Sequence, residues 1–90
     1  MRQYAVEFAS DAIKALNKLD RSASILIYKW IGKNLVDCAD PRAHGKAMTG
    51  NRAGQWRYPV GNYRLLARID DNRIVIMIVS IGHRSKIYGN

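Results

Sequence analysis

The arginines of the C-terminal half are the side chains of this sequence best suited to chemistry. A Gly61-Asn62 dipeptide lies between two β-prone runs. Arg57 is in the run before it, and Arg64 and Arg68 are in the run after it. Such a dipeptide predicts a two-residue hairpin turn. Because side chains alternate along a strand, this turn would put all three arginines on one side of the hairpin, called here the arginine face. A guanidinium keeps its charge and grips phosphate with a planar fork, so the pattern predicts a phosphate-binding surface.

The chain then returns along an apolar run that ends near the same arginines. Residues 70–72 (Asp-Asp-Asn) predict a second turn, residues 74–81 are almost continuously apolar, and His83, Arg84 and Tyr88 follow. We expect these last three side chains to arrive beside the arginine face.

The two faces of this predicted sheet differ in character. The first hairpin would present one apolar face made of Trp56, Tyr58, Val60, Tyr63, Leu65, Ala67 and Ile69. The returning strand would add Ile74, Ile76 and Ile78 to that face and Val75, Met77 and Val79 to the other, beside Leu66. A strand that is apolar on both faces belongs inside a sheet, so the returning strand is predicted to be an inner strand.

Chemistry at such a face would need a source of protons. Two histidines and one cysteine without metal-ligand spacing argue against zinc, and neither a P-loop nor a Rossmann fingerprint occurs. Metal-free acid–base chemistry on RNA remains, in which the 2′-hydroxyl attacks the adjacent phosphorus. Among nearby groups, His83 and Tyr88 hold the more accessible protons. Taken singly, His83 is as readily a surface histidine and Tyr88 a packing aromatic.

The distribution of charge supports an anionic partner. Residues 1–41 carry six Lys/Arg against five Asp/Glu, whereas residues 42–90 carry nine against two. The irregular stretch 37–54 adds Lys46 and Arg52 as further candidates for phosphate contact. Positive charge gathered in one half is typical of a polyanion binder. The alternative is a basic surface that is merely solvated.

Length and composition limit the other possibilities. Ninety residues suffice for one domain, spanning 1–90. No apolar run of about 20 residues is present, which argues against a transmembrane helix, and the N-terminus lacks the apolar region of a signal peptide. A single cysteine, Cys38, fits a reducing cytoplasm. It is expected to be a small buried residue, with a nucleophile as the alternative.

The first half of the chain predicts one strand and two helices. Residues 3–8 alternate as a strand, and Ser10 is expected to cap a helix from Asp11 to about Leu19. The buried face of that helix is predicted to be Ala12, Ile13, Leu16 and Leu19. Asp20 would cap a second helix to about Val36, with a buried stripe of Ala23, Ile27, Trp30, Ile31 and Leu35. The short linker predicts an antiparallel helix hairpin.

In this order and spacing the elements resemble the RelE/ParE superfamily of toxin–antitoxin toxins, most closely its RelE-like branch. The resemblance is carried by Asp40-Pro41-Arg42, His44-Gly45-Lys46-Ala47-Met48, Gly50, Gly54-Gln55-Trp56-Arg57-Tyr58, Gly61-Asn62-Tyr63-Arg64, and Gly82-His83-Arg84 with Tyr88. It implies an α+β, RelE-like and microbial-RNase-like fold: a strand, an antiparallel helix hairpin and a three-stranded antiparallel meander.

The resemblance also implies a function. Such a toxin would be a metal-independent endoribonuclease, without cofactors, that cleaves mRNA in the ribosomal A site and so inhibits translation. Its partner would be a cognate antitoxin, through which alone it would reach operator DNA. We expect the antitoxin to bring an acidic amphipathic segment to a groove between helices and sheet, where Val75, Met77 or Val79 lie among the arginines.

Roles are carried over by position. Arg57 matches a basic residue at the cleavage centre, and Arg64 and Arg84 match arginines that hold the scissile phosphate. Tyr88 matches a C-terminal tyrosine that stacks on or orients the substrate, and His83 is a candidate for proton transfer. The RNA-binding candidates are Lys46, which matches a basic loop residue, together with Arg52 and Arg68.

Pro59 departs from the family pattern, which commonly has a basic residue there. Proline donates no ladder hydrogen bond and is therefore expected at a sheet edge or a bulge. Two alternatives to the nuclease share the fold. One is a ParE-type toxin that acts on DNA gyrase without cutting RNA, and the other is a catalytically weak member that only binds antitoxin and operator. The arginines together with Tyr88 favour the nuclease.

Overall fold

The computed structural model describes residues 3–84. Its fold is organised around the middle strand of a five-stranded sheet. The elements are β1 (Ala5–Phe8), α1 (Ser10–Lys18), α2 (Arg21–Asn34), β2 (Lys46–Ala47), a short 3₁₀ helix (Gly50–Arg52), β3 (Trp56–Val60), β4 (Tyr63–Asp70) and β5 (Val75–His83). The strands form one sheet in the order β1-β5-β4-β3-β2. β1 runs parallel to β5, and the other neighbours are antiparallel. The predicted α+β class is confirmed.

The β3–β4 hairpin has the predicted register. Val60 pairs with Tyr63 and Pro59 with Arg64. Gly61 has a φ of 59°, a left-handed conformation that glycine adopts without steric cost. β2 pairs with β3 only at Arg57 and its neighbour Trp56, so Pro59 lies past the end of β2 on the outer side of β3. The edge position expected for this proline is confirmed.

The β4–β5 connection differs from the predicted tight turn. Asp70 pairs with Val75, which leaves a four-residue connection, 71–74. The Asp70 carboxylate accepts hydrogen bonds from the backbone N–H groups of Asn72 and Arg73, each at 3.1 Å. A tight turn centred on Asp71 and Asn72 would be two residues shorter. A difference of two residues preserves the alternation of side chains, because the period along a strand is two. Ile76 and Ile78 therefore enter the core as predicted.

A β-bulge in β5 was not predicted. Leu66 pairs with Ser80 and Ala67 with Ile78, so Val79 is an additional residue between them. Beyond the bulge the alternation is reversed, and Ile81 lies opposite Leu65 in the core. Ser80, and not Val79, is thus the residue paired with the arginine-face residue Leu66, and Val79 is half-buried and does not pack against the core.

The helices follow the predicted pattern with corrected ends. The Asp20 carboxylate caps α2 by accepting from the Ala23 N–H at 2.9 Å, as predicted. Ser10 is not the cap of α1; the cap is Ala9, whose carbonyl accepts from the backbone N–H groups of the first turn, and Ser10 is the first helical residue. Ile13 is 47% exposed and does not belong to the buried face.

α2 ends at Asn34, two residues before the predicted end. Leu35 is the cap, and Asp37 follows with a φ of 61°, a left-handed conformation that a helix does not continue through. The Asp37 N–H donates instead to the Tyr4 carbonyl at 2.9 Å. The chain thus leaves the helix alongside β1. No helix among residues 3–84 has the length and apolar character needed to cross a membrane.

The core lies between the two helices and one face of the sheet, with α1 against β5 and α2 against β3. Its buried members include the predicted α2 stripe of Ala23, Ile27, Ile31 and Leu35. Trp30 is half-buried and packs on Tyr58, with ring centroids 5.6 Å apart. Leu65 and Ala67 are also fully buried on this side. The arginine face is the opposite face of the same sheet.

Two glycines make a matched test of packing. A Cβ on Gly45 would overlap the carbonyl oxygen of Arg57 and lie 2.7 Å from Trp56 Nε1, whereas a Cβ on Gly32 would meet no atom within 4 Å. Gly45→Ala should therefore lower the free energy of unfolding by about 1–3 kcal/mol, as overpacking does. Gly32→Ala, inside α2, should raise it by about 0.5–1 kcal/mol. Urea unfolding followed by circular dichroism measures both, and equal effects would contradict the close packing at Gly45.

Candidate active site

The register of three strands brings the predicted cations to one face of the sheet. Lys46 lies opposite Arg57 across β2–β3, and Pro59, two residues beyond Arg57, lies opposite Arg64 on β4. Arg68, four residues beyond Arg64 in the same strand, projects to the same side and is exposed. Directly opposed residues of an antiparallel pair share a face. Lys46, Arg57, Arg64 and Arg68 therefore all lie on the face away from the helices.

An apolar floor supports these arginines. Leu66 lies on the arginine face, opposite Arg57 and between Arg64 and Arg68, yet it is completely buried. Arg57 and Arg64 are themselves partly buried. Arginine stems can cover apolar surface of this kind, and the strand register places Leu66 beside these two arginines. The pairing of β3 with β4 thus fixes where the side chains of Arg57 and Arg64 leave the sheet.

The guanidinium of Arg64 bends toward its own hairpin turn. Its Nη1 donates to the carbonyl oxygens of Tyr63, at 2.9 Å, and Gly61, at 3.2 Å. On the neighbouring strand β5, Gly82 is the residue opposite Arg64, so no side chain stands beside the arginine there. Among the described residues, Nη2 of Arg64 makes no hydrogen bond, which leaves part of the fork available to an anion.

The bulge at Val79 changes where His83 lies. His83 pairs with Tyr63, and the two rings meet edge to face with centroids 5.7 Å apart. Tyr63 packs against the core on the helix side of the sheet. The prediction that His83 lies beside the arginines of the arginine face is therefore wrong, because the extra residue reverses the alternation. His83 is exposed at the end of β5, next to Tyr63.

Arg84 is the last residue that the structure describes. Its backbone N–H donates to the Asn62 carbonyl at 2.8 Å, which places its backbone beside the turn that also holds the Arg64 guanidinium. Its side chain is exposed. Tyr88, the remaining candidate, lies outside the described residues.

The segment that carries Lys46 was expected to be irregular, and here the structure adds an element. Lys46 and Ala47 form the edge strand β2, which sets Lys46 beside Arg57. Arg52 is exposed at the end of the short 3₁₀ helix and belongs to the β2–β3 connection, not to the sheet face. The structure therefore groups Lys46 with Arg57, Arg64 and Arg68, and leaves Arg52 apart.

The apolar side chains expected among the arginines are largely covered. Val75 is buried, and Met77 and Val79 are only half-buried. Within residues 3–84 the large exposed apolar side chains lie on or next to the helices instead: Ile13, Ile25, Leu26, Tyr28 and Val36. Of the three residues expected to meet the antitoxin, Met77 and Val79 thus keep part of their surface exposed, and Val75 does not.

Sequence reasoning missed a polar cluster at the opposite end of the sheet. Arg42 donates Nη1 to Asp71 Oδ1 at 3.1 Å and Nη2 to Oδ2 at 3.0 Å. The Tyr4 hydroxyl donates to Asp71 Oδ1 at 2.6 Å. The hydrogen bond to Asp71 raises the pKa of Arg42 further above its ordinary value. The partners are 29 and 67 residues apart in the chain, and no local pattern connects them.

Cys38 is half-buried, and the structure does not make it reactive. Burial raises the pKa of its thiol, and the negative charge of Asp40 raises it further. A higher pKa means less thiolate at neutral pH, and the thiolate is the nucleophile.

Within residues 3–84, no group of three His, Cys, Asp or Glu side chains is placed to hold a metal ion.

Alkylation tests this assignment of Cys38. With its pKa above the ordinary value of about 8.5, the folded protein should react with iodoacetamide at pH 7 more slowly than the same protein in urea. The rate should keep rising with pH beyond the range in which the unfolded chain levels off. Mass spectrometry reads the reaction directly because the chain has a single cysteine. Equal rates in folded and unfolded protein at pH 7 would contradict the shielded thiol.

The fold and the face define a class: a small α+β domain in which a mixed sheet carries helices on one side and arginines on the other. A family model described as the ParE toxin of the type II toxin–antitoxin system parDE matches residues 6–88. The chain belongs to the RelE/ParE superfamily of type II toxin–antitoxin toxins.

Relatives and solved structures agree. Toxin RelG of Mycobacterium tuberculosis is 32% identical over 85 residues, covering 94% of this chain and 95% of RelG. A putative RelE-like toxin protein of Escherichia coli is 27% identical over 86 residues, covering 93% of this chain and 86% of that protein. The toxin–antitoxin complex RelBE2 of M. tuberculosis matches with a TM-score of 0.82 at 30% identity, covering 91% of this chain and 99% of the matched one.

The fold extends to more distant toxins. The isolated E. coli RelE toxin matches with a TM-score of 0.71 at 24% identity, covering 94% of this chain and 90% of the matched chain. At that identity the likeness shows the fold alone. The predicted membership of the superfamily is thus confirmed, and the protein is a RelE-like toxin of a type II toxin–antitoxin module.

Proposed function

We propose that this toxin is a metal-independent endoribonuclease that cleaves mRNA in the ribosomal A site. The observation that carries the proposal is the convergence of Lys46, Arg57 and Arg64 on one face, with the backbone of Arg84 beside the hairpin turn. In cleavage by the RNA 2′-hydroxyl, the protein must stabilise the negative charge on phosphate and carry out two proton transfers. Permanent cations on a rigid sheet suit the first requirement.

The phosphate roles fall to the arginines at the hairpin. Arg64 and Arg84 would hold the scissile phosphate, because both lie at the β3–β4 turn and Arg64 keeps Nη2 available. Arg57 would stabilise the charge that builds up on phosphate, since β3 and β4 fix its stem over Leu66. Lys46 and Arg68 would bind neighbouring phosphates.

The proton roles fall to His83 and Tyr88. His83 is exposed at the end of β5 against Tyr63, so a substrate would have to reach it at the end of the sheet. A histidine is suited to accepting a proton near neutral pH. We assign the proton transfer to His83 and substrate orientation to Tyr88. His44, exposed in the loop before β2 and edge-on to Trp30, is the matched control histidine.

The arginine roles predict the effects of single substitutions. Arg57→Ala, Arg64→Ala and Arg84→Ala should each lower mRNA cleavage on translating ribosomes by about 10²-fold or more, as loss of a charge-stabilising donor does. Arg73→Ala is the control, because Arg73 lies in the β4–β5 connection and pairs with Glu7 at 3.6 Å. Primer extension measures cleavage, and circular dichroism verifies folding. Loss of cleavage in Arg73→Ala as severe as in Arg64→Ala would contradict the assignment to the hairpin.

The mechanism predicts the chemistry of the cut ends. Attack by the 2′-hydroxyl yields a 2′,3′-cyclic phosphate, or its hydrolysis product, and a free 5′-hydroxyl. A message with 2′-deoxy or 2′-methoxy sugar at the scissile position should resist cutting, and His83→Gln should lose activity where His44→Gln does not. End-labelling of the fragments identifies the termini. A 5′-phosphate product, or cleavage of the 2′-blocked message, would overturn this mechanism in favour of an activated water.

One observation favours a second candidate function: the matching family model describes a ParE toxin. A gyrase-directed toxin would inhibit DNA supercoiling and leave mRNA intact. Expression of the chain without an antitoxin distinguishes the two functions. A nuclease should arrest translation while mRNA is lost, whereas a gyrase-directed toxin should leave mRNA intact. The cations Lys46, Arg57, Arg64 and Arg68 on the arginine face are the reason to place the nuclease first.

The partner of this toxin is a cognate antitoxin, as in the RelBE complexes of similar fold. We propose that the antitoxin covers the arginine face with acidic side chains, because opposite charges give such a contact its specificity and speed of association. The exposed apolar side chains on the helices offer it additional surface to bury.

A further inference from the structure

Asp71 joins three segments that are distant in sequence. It lies in the β4–β5 connection and accepts a hydrogen bond from the hydroxyl of Tyr4, next to β1, at 2.6 Å. Its carboxylate also accepts hydrogen bonds from both terminal nitrogens of Arg42, at 3.1 and 3.0 Å, in a bidentate pair. Bidentate arginine–carboxylate pairs are the geometrically specific kind. The side chains of Arg42 and Asp71 are 43% and 46% exposed, so this is a half-exposed ion pair anchored by a buried tyrosine.

Arg42 belongs to the segment that leads into β2. The carbonyl of the preceding Pro41 accepts a hydrogen bond from the buried Tyr58 hydroxyl. Three residues after Arg42, Gly45 packs directly against the indole of Trp56 and the backbone of Arg57. The segment 41–45 is thus held at both ends by β3 and, through Arg42, by Asp71.

β2 has little to hold it by itself. It consists of two exposed residues and pairs with β3 at two positions, followed by the Met48 N–H donating to the Gln55 carbonyl at 2.9 Å. One of the two pairs sets Lys46 directly opposite Arg57. Like charges directly opposed across a sheet are destabilising. The pairing of β2 therefore works against a charge repulsion, and contacts outside the strand help to offset it.

We infer that Asp71 is a positioning residue of the arginine face: through Arg42 it holds β2, and so Lys46, beside Arg57. Asp71 itself lies in the β4–β5 connection, at the end of β4 away from the hairpin turn that carries Arg64. The functional half of this inference rests on the proposed function, because it assumes that Lys46 and Arg57 act on RNA. The structural half, the placement of β2, does not.

Amide hydrogen exchange tests the placement of β2 without RNA. Asp71→Asn keeps the shape of the side chain and removes its charge, and should speed exchange of the Met48 amide about fivefold, the effect of a half-exposed ion pair. Glu7→Gln is the matched control, because it removes the ion pair of Glu7 with Arg73, which is also largely exposed. It should leave Met48 unchanged. The amide of Ala9, bonded to the Ile78 carbonyl at 2.9 Å, reports that the sheet is intact.

The repulsion argument adds a rescue. Lys46→Gln removes one of the opposed charges, so in the Asp71→Asn background it should slow Met48 exchange again toward the rate of the unaltered protein. Exchange at Met48 that is unaffected by Asp71→Asn would overturn the placement by Asp71. Exchange that Lys46→Gln fails to slow would overturn the repulsion that Asp71 is inferred to offset.

A double-mutant cycle tests the functional half. Asp71→Asn should lower kcat/KM for mRNA cleavage about fivefold, mainly through a higher KM, and should have no further effect once Lys46 is Gln. Independent, multiplying effects of the two substitutions would overturn action through Lys46. Failure of the proposed function is distinguishable: Arg57→Ala and Lys46→Gln would then leave cleavage unchanged, while the exchange rates would still decide the placement of β2.

Discussion

The alternation of side chains along β4 is the constraint on which the rest of the structure depends. β4 is the middle strand of the five, and its register is set on one side by the Gly61 turn and on the other by the connection 71–74. A slip by one residue would turn every side chain to the other face. Leu65 and Ala67 would leave the core, and Arg64 would enter it unpaired, at a cost of several kcal/mol. Core and cationic surface are therefore fixed by the same register.

The bulge in β5 modifies that constraint where the site is built. By adding Val79 it lets Ile81 enter the core opposite Leu65, and it places Gly82 opposite Arg64. A regular strand would instead set a large apolar side chain beside that arginine. The bulge thus keeps space next to the guanidinium, and the same reversal moves His83 to the side of Tyr63. Bulges are frequent where a sheet must re-aim side chains near a functional surface.

The parts of the fold that local patterns determine were predictable from the sequence. Gly61-Asn62 specified the hairpin, and the two-sided apolar character of residues 74–81 specified an inner strand, as the order β1-β5-β4 shows. The bulge and β2 depend on tertiary packing, and no local signal marks them. The pair of Arg42 and Asp71 depends on folding that brings together residues 29 positions apart. Site residues on regular strands were therefore placed correctly, whereas His83, which follows the bulge, was not.

The cations that fit this surface for a polyanion also oppose its folding. Lys46 faces Arg57 directly, Arg64 and Arg68 lie on the same face, and the chain carries a net charge of +8. Self-repulsion of this kind destabilises a compact state, and salt screens it. An anionic partner that binds only the folded chain stabilises it, by about 2.7 kcal/mol at a hundredfold excess over Kd. Salt weakens that binding as well, so it stabilises the free chain and destabilises the complex. The stabilisation that an acidic partner confers is consequently largest at low ionic strength, where the free toxin is least stable.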